Sequence, residues 1–280
     1  MSFPPLKLSD WQTTRDTVQG YSKLLGKIRR TLAPFEEHWF HVSLRVNETG
    51  LTTTNIPYGE DSFHGDHTFA MTLDFTAHKL NINASRRLQL EIPLTGQSLR
   101  AFHDAVMDGL KTLGVGLEMD HSAFMDETPG VYDAAAISAY WQATRQIQEV
   151  LQQFKAGLAG ETGPVQLWPH HFDLALLWFS GRQVPGVDPN DRENADEQMN
   201  FGFSTGDSSI PDGYFYITAY PVPDNFIGSM LPEGAYWHTS GFKGAILPYA
   251  ELVGVDNPQQ KLRNFLHVVQ AHGAHAMSSK

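Results

Sequence analysis

Residues 168–179 read Trp168-Pro-His-His-Phe-Asp-Leu-Ala-Leu-Leu-Trp-Phe179, a polar knot running into an apolar stretch of strand length. Read as a strand from Phe172 to Phe179, its side chains alternate between two faces. Alternation places His170, Phe172, Leu174, Leu176 and Trp178 on an apolar face. His171 and Asp173 then share the opposite face, beside the small Ala175. Pro169 suits the start of such a strand, at a sheet edge where irregular segments gather.

Outward from this stretch the chain reads as antiparallel strands and amphipathic helices. Trp39-Phe-His-Val-Ser-Leu44 parallels its beginning, within an alternating segment from Phe40 to Val46. Further strand patterns cover Leu51 to Ile56, Phe69 to Phe75, Leu80 to Asn83, Leu88 to Ile92, Met199 to Phe203 and Tyr214 to Tyr220. Ala245-Ile-Leu-Pro-Tyr249 parallels Leu90-Glu-Ile-Pro-Leu94, and each precedes a helical pattern. Helical spacing predicts a first helix over Asp10–Thr31, with Trp11, Val18, Tyr21, Leu25 and Ile28 on one face. Its other face is basic, with Arg15, Lys23, Lys27, Arg29 and Arg30, and reads as solvated or as a dock for an acidic surface. Helices are also predicted near Ser98–Leu113, Asp133–Leu158 and onward from Pro258. Gly157-Leu-Ala-Gly-Glu-Thr-Gly-Pro164 is the best linker candidate. The expected fold is α+β: antiparallel sheet elements, read as a duplicated β-rich unit ending in a helix, with a long connecting helix. The expected divisions are an N-terminal helix (1–33), a first half (34–160) and a second half (161–280), which one compact domain would also accommodate.

Composition narrows the chemistry. The 280 residues include no cysteine, 13 histidines and 41% hydrophobic residues, with a formal net charge of -11. Such an apolar fraction belongs to a folded chain. Without cysteine there is no disulfide framework and no thiolate nucleophile, and any metal site must use nitrogen and oxygen ligands. The acidic balance argues against a nucleic-acid partner. Met1-Ser-Phe-Pro-Pro-Leu-Lys7 lacks a signal peptide's apolar core, and no apolar run reaches membrane-spanning length. The expectation is a cytoplasmic protein without a membrane partner. Residues 161–280 carry 6 basic and 13 acidic residues, a larger imbalance than the 14 and 18 of residues 1–160.

Several strings stand together: His38-Trp-Phe-His-Val42 with Gly50-Leu-Thr-Thr53, then Trp168-Pro-His-His-Phe-Asp173 and Glu197. Gly202-Phe-Ser-Thr-Gly-Asp207, Tyr214-Phe-Tyr216, Trp237-His238 and Leu247-Pro-Tyr249 complete the set. In these residues the chain resembles a family of bacterial proteins catalogued as a domain of unknown function. The resemblance covers nearly everything beyond the first helix and implies no activity.

Chemistry is therefore read from the residues. His171 and Asp173, two apart on one strand face, suit a metal, an acid–base pair or a structural hydrogen bond. Glu197 and His238 would extend them to two histidines and two carboxylates. The expected catalytic set is His171, Asp173, Glu197 and His238, and a divalent metal held by His171, Asp173 and His238 is one version of it. Trp168, His170, Tyr214, Tyr216 and Trp237 are the expected substrate-binding residues around a small-molecule ligand. The leading expectation is an enzyme of hydrolysis or proton transfer; the alternative is a binding protein with an aromatic-lined cleft for a small ligand or peptide. Gly202-Phe-Ser204-Thr-Gly206 matches a nucleophile-elbow string but lacks a following helix pattern, so it reads as a turn. His64-Gly-Asp66-His67, after Glu60-Asp61, reads as a loop. The acidic loop Asp188–Glu197 fails the calcium-loop pattern and reads as solvated.

Overall fold

The computed structural model describes residues 2–59, 67–85 and 88–278. The Glu60–Asp66 part of the second polar knot lies outside them, and His67 alone of that knot is described. Helices and two antiparallel sheets make the chain α+β. Its contacts form two compact units. One comprises Trp11–Trp141 with Gln166–Phe172; the other comprises Met1–Asp10, Gln142–Val165 and Asp173–Lys280.

In the unit built around Trp11–Trp141, helix α1 (Leu8–Leu32) supplies the predicted apolar stripe, with Val18, Leu25 and Ile28 fully buried. Each such side chain contributes about 1.5–3 kcal/mol relative to exposure. The basic face is not uniformly solvated, because Arg15 and Arg29 are buried as well. Strands β1 (Arg45–Val46), β2 (Gly50–Thr52), β4 (Thr68–Asp74), β5 (Lys79–Ala84) and β6 (Leu88–Pro93) pair in that order, and β3 (Ile56–Pro57) pairs with β4. Asn47 closes the β1–β2 turn by accepting from the Thr49 and Gly50 amides at 3.0 and 2.8 Å. Helix α2 (Leu99–Thr112) starts at Ser98, whose hydroxyl accepts from the Ala101 amide at 3.2 Å. The start of helix α3 (Ala134–Ala156) brings Tyr140 between Trp11 and Phe172, at ring separations of 5.2 and 5.3 Å.

Two expected strands are altered here. The segment from Phe40 to Val46 is extended only at β1, because Glu37–Val42 forms a 3₁₀ turn with His38 and Trp39 both left-handed. Leu51 to Ile56 is broken at Thr54, also left-handed, whose amide donates to the Thr52 hydroxyl. A local side-chain hydrogen bond there competes with the strand ladder.

The other unit carries β8 (Asp173–Gln183), β9 (Asp196–Ser204), β10 (Tyr214–Tyr220), β11 (Tyr236–His238) and β12 (Gly244–Pro248), in the spatial order β8-β9-β10-β12-β11. Between β6 and β8 in sequence, β7 (Gln166–Trp168) belongs to the first unit, where Leu167 bridges Leu44. The acidic loop contains one short helix, α4 (Arg192–Ala195). One sheet face is apolar, with Leu174, Leu176, Met199, Phe201, Phe203, Phe215, Ile217 and Leu247 all buried. Phe154 of α3 stands against Phe201 at 4.9 Å, and Gly273 of helix α5 (Pro258–Ser278) admits the Met199 side chain. Rather than hanging free, Gly157–Pro164 is stitched to β8: the Gly163 amide donates to Leu177 and the Phe179 amide to Glu161. Both sheets lead through a Pro-containing strand toward a helix. That strand is an edge in one sheet (β6) and interior in the other (β12).

Candidate functional site

The Trp168–Phe172 segment is a turn, closed by the Phe172 amide donating to the Trp168 carbonyl at 2.8 Å. Phe172 takes φ +57, and β8 begins only at Asp173. The strand alternation expected from Phe172 therefore does not reach back through the histidines. His170 and His171 are exposed in the turn, their rings 4.4 Å apart, and Phe172 is buried. Desolvation, the His171 charge and the Lys23 charge all lower the His170 pKa, so its ring is neutral near pH 7. Gln19 of α1 donates to the His170 carbonyl at 2.8 Å, and Trp168 stands edge-on to His170. Gly26 of α1 leaves room for Pro169, which a Cβ there would meet at 2.7 Å.

A denser polar grouping lies on the second sheet's other face. The β8–β9 and β9–β10 registers align Ala175, Gly202 and Tyr216, and the β10–β12 and β11–β12 registers continue that row through Ile246 to Tyr236. The adjacent rows hold Leu177, Asn200, Thr218, Gly244 and His238 on one side, and Ser204, Tyr214 and Pro248 on the other. The phenol end of Tyr216 passes directly over Gly202, where a Cβ would come within 2.3 Å of the ring. From there its hydroxyl donates to Asp173 Oδ2. Asn200 stands on the same face, in the row next to Gly202. Beside Tyr216, Tyr214 donates to Asp207 Oδ2 at 2.5 Å and lies in register with Ser204.

These pairs are electrostatically one-sided. Burial raises the Tyr216 pKa well above the usual phenol range, and the charge and hydrogen bond of Asp173 raise it further. Tyr214 is raised by burial and then by Asp207. Burial would raise Asp207 too, but the Tyr214 hydroxyl and the Ile210 and Ser209 amides outweigh it and leave its pKa lowered. Both phenols thus stay protonated and donate toward carboxylates, a fixed array rather than a pair of groups poised to titrate.

Other expected residues fall elsewhere. Glu197 precedes Gln198 in β9 and shares the face of Met199 and Phe201, opposite Asn200 and Gly202. There its Oε2 accepts from Ser180 at 2.7 Å and from the Arg182 Nε at 2.9 Å. Trp237 aligns with Ala245 on that same apolar side, packs on Phe226 at 5.1 Å, and donates to the Ser229 carbonyl. His238 is on the polar face but bonds the Ser240 carbonyl through Nε2 at 2.5 Å. Among the described residues, no three His, Asp or Glu side chains converge to hold a metal ion. Ser204 ends β9, and its oxygen accepts the Gly206 amide at 3.1 Å in a turn toward β10, not a strand-to-helix elbow. Asn200 and Asp207 are the participants that motif reading left without a role. The signal for Asn200 was its presence in mid-strand, where Asn is disfavoured, two residues from Gly202.

A cleft of about 450 Å³ opens beside β8, lined by Glu161, Phe179, Arg182, Arg192 and Asp196 among others. Its charges satisfy one another, since Arg192 bonds Asp196 at 2.9 Å and Glu161 at 3.1 Å.

The chain is thus an α+β protein with two antiparallel sheets, one of which carries a tyrosine–aspartate array on its polar face. It belongs to the family of unknown function DUF5996, whose model matches residues 3–279. No curated protein and no solved structure matches it. No helix among the described residues is long and apolar enough to cross a membrane.

Proposed function

We propose that this protein binds a small polar, sugar-like ligand on the polar face of the second sheet, with Asp173, Asn200, Tyr214 and Tyr216 at the centre of the site. The observation that carries the reading is the Tyr216 ring laid over Gly202 with its hydroxyl tied to Asp173. Tyr216 keeps a partly exposed edge and the Asp207 carboxylate is exposed, so an aromatic edge and an acceptor for hydroxyl groups stand together on this face. Tyr236, 41% exposed and in the same row, extends the aromatic surface. Recognition without catalysis is favoured over the enzyme reading. Glu197 faces away from Asp173 and is neutralised by Arg182, and the phenols are locked as donors.

The test is a thermal-shift and titration screen of the full chain against neutral and amino monosaccharides, repeated with Tyr216→Phe and Asp173→Asn. Saturable stabilisation by a sugar, weakened at least about tenfold in either variant, supports the reading; that ratio corresponds to roughly 1.4 kcal/mol of binding free energy. A sugar that binds both variants as tightly as the parent, or a screen without any saturable ligand, overturns it.

A further inference from the structure

A second site stands in the other unit, apart from the tyrosine array. Arg29 of α1 is 3% exposed, and its Nη1 donates to the Ser43 carbonyl. Its Nε is buried and has no hydrogen-bond partner among the described residues. Arg45 of β1 donates through Nη1 to the Ser43 hydroxyl and to Gln166 Oε1, each at 2.5 Å. The Ser43 hydroxyl donates in turn to that same Gln166 oxygen at 2.6 Å. Gln166 is fully buried, and its Nε2 also has no partner among the described residues. Two guanidinium groups and an amide thus share the Ser43 carbonyl, the Ser43 hydroxyl and the Gln166 oxygen, and the Arg29 Nε and Gln166 Nε2 donors are left over among the described residues.

The anion that faces both arginines is Glu36, and it stands off. Its carboxylate is 3.8 Å from Arg29 Nη2 and 3.9 Å from Arg45 Nη2, beyond hydrogen-bond length, with the side chain 48% exposed. Burial, and then the Arg45 charge, pull the Arg29 pKa down to about 10, with Glu36 opposing them. An unsatisfied buried donor costs about 1–3 kcal/mol, more for a charged one. Arginine forks match planar or tetrahedral oxyanions in bidentate fashion. Glu36 itself hangs from the strained His38–Trp39 turn, where the Glu36 amide and carbonyl both contact His41 Nδ1 at 3.3 Å.

We infer that Arg29, Arg45 and Gln166 form a binding site for a small oxyanion, phosphate or carboxylate, with Glu36 as a displaceable internal stand-in. Two guanidinium charges with Glu36 swung aside match a dianion best, which favours phosphate. The partly exposed edges of Arg45 and Glu36 are the way in.

The test is a titration of the full chain with inorganic phosphate and, separately, acetate at constant ionic strength, read by thermal shift and tryptophan fluorescence. The expected result is saturable stabilisation by phosphate, with half-saturation at least about tenfold lower in Glu36→Gln and binding lost in Arg45→Gln. Arg45→Lys, which keeps the charge but not the fork, is expected to bind at least about fivefold more weakly than the parent and covers the case in which Arg45→Gln does not fold. Saturation by acetate in place of phosphate, with the same response to the variants, upholds the site and assigns a carboxylate ligand. No saturable response to either anion in folded Glu36→Gln, or equal binding by the parent and the Arg45 variants, overturns the proposal.

Discussion

Three side chains separate recognition from scaffolding at the level of single residues. Glu197 is buried and holds Ser180 and Arg182, so Glu197→Ala leaves those donors unmatched. Its expected cost is about 1–3 kcal/mol of stability, read by denaturant unfolding, with no change in ligand affinity. Tyr216→Phe has the opposite profile: loss of the hydroxyl that Asp173 accepts weakens ligand binding, while most of the ring's packing stays. Asp207 governs a pH response. Its folded pKa lies below that of the unfolded chain, so the ionised carboxylate stabilises the fold above about pH 4. That contribution fades as pH falls through the lower folded value. Thermal melts from about pH 5 down to about pH 2 should therefore decline less steeply for Asp207→Asn than for the parent. Equal slopes would show that Asp207 takes no part in the acid response. Asp173, Tyr214 and Tyr216 were legible in the sequence as polar and aromatic residues on strands. Glu197 and Trp237 were misplaced, because each lies one residue from the parity that would bring it to the polar face.

Periodicity served well at the scale of helices and strands. The patterns predicted over 10–31, 98–113 and 133–158 appear as α1, α2 and α3, and the strand predicted over Tyr214–Tyr220 is β10. It failed where non-glycine residues turn left-handed, as at His38–Trp39 and at Phe172. Neither site contains the glycine that would have marked it. Gly26 illustrates the converse. Inside a helix, Ala is favoured over Gly by about 1 kcal/mol, yet a Cβ at this position meets Pro169 Cγ at 2.7 Å and the Val42 carbonyl at 3.1 Å. Gly26→Ala should therefore destabilise the protein by about 1–3 kcal/mol, as overpacking does; a rise in melting temperature would mean the turn yields freely. At the head of α2, Ser98→Ala removes the acceptor for the Ala101 amide and should cost about 1 kcal/mol.

For the whole molecule, the informative feature is which distant segments complete each unit. The unit bearing β8–β12 includes residues from the chain's beginning, from α3 and from the segment after it: Phe3 packs edge-on to Tyr249, Pro4 accepts the Tyr249 hydroxyl, Phe154 stands against Phe201, and Thr162 bridges Trp178. A fragment spanning residues 161–280 lacks Phe3 and Phe154, both essentially buried. It should show no cooperative thermal transition by circular dichroism, whereas a fragment that melts cooperatively would refute this composition of the unit. By itself the sequence determined the α+β class, the helices, most strands and the nitrogen–oxygen limit on any metal chemistry, because periodicity and composition are local properties. Only the tertiary structure decided that Glu197 faces away from Asp173, that Arg29 is buried beside Arg45, and that Tyr216 lies over Gly202. Those outcomes depend on register and on long-range packing, where a shift of one residue sends a side chain to the other face of the sheet.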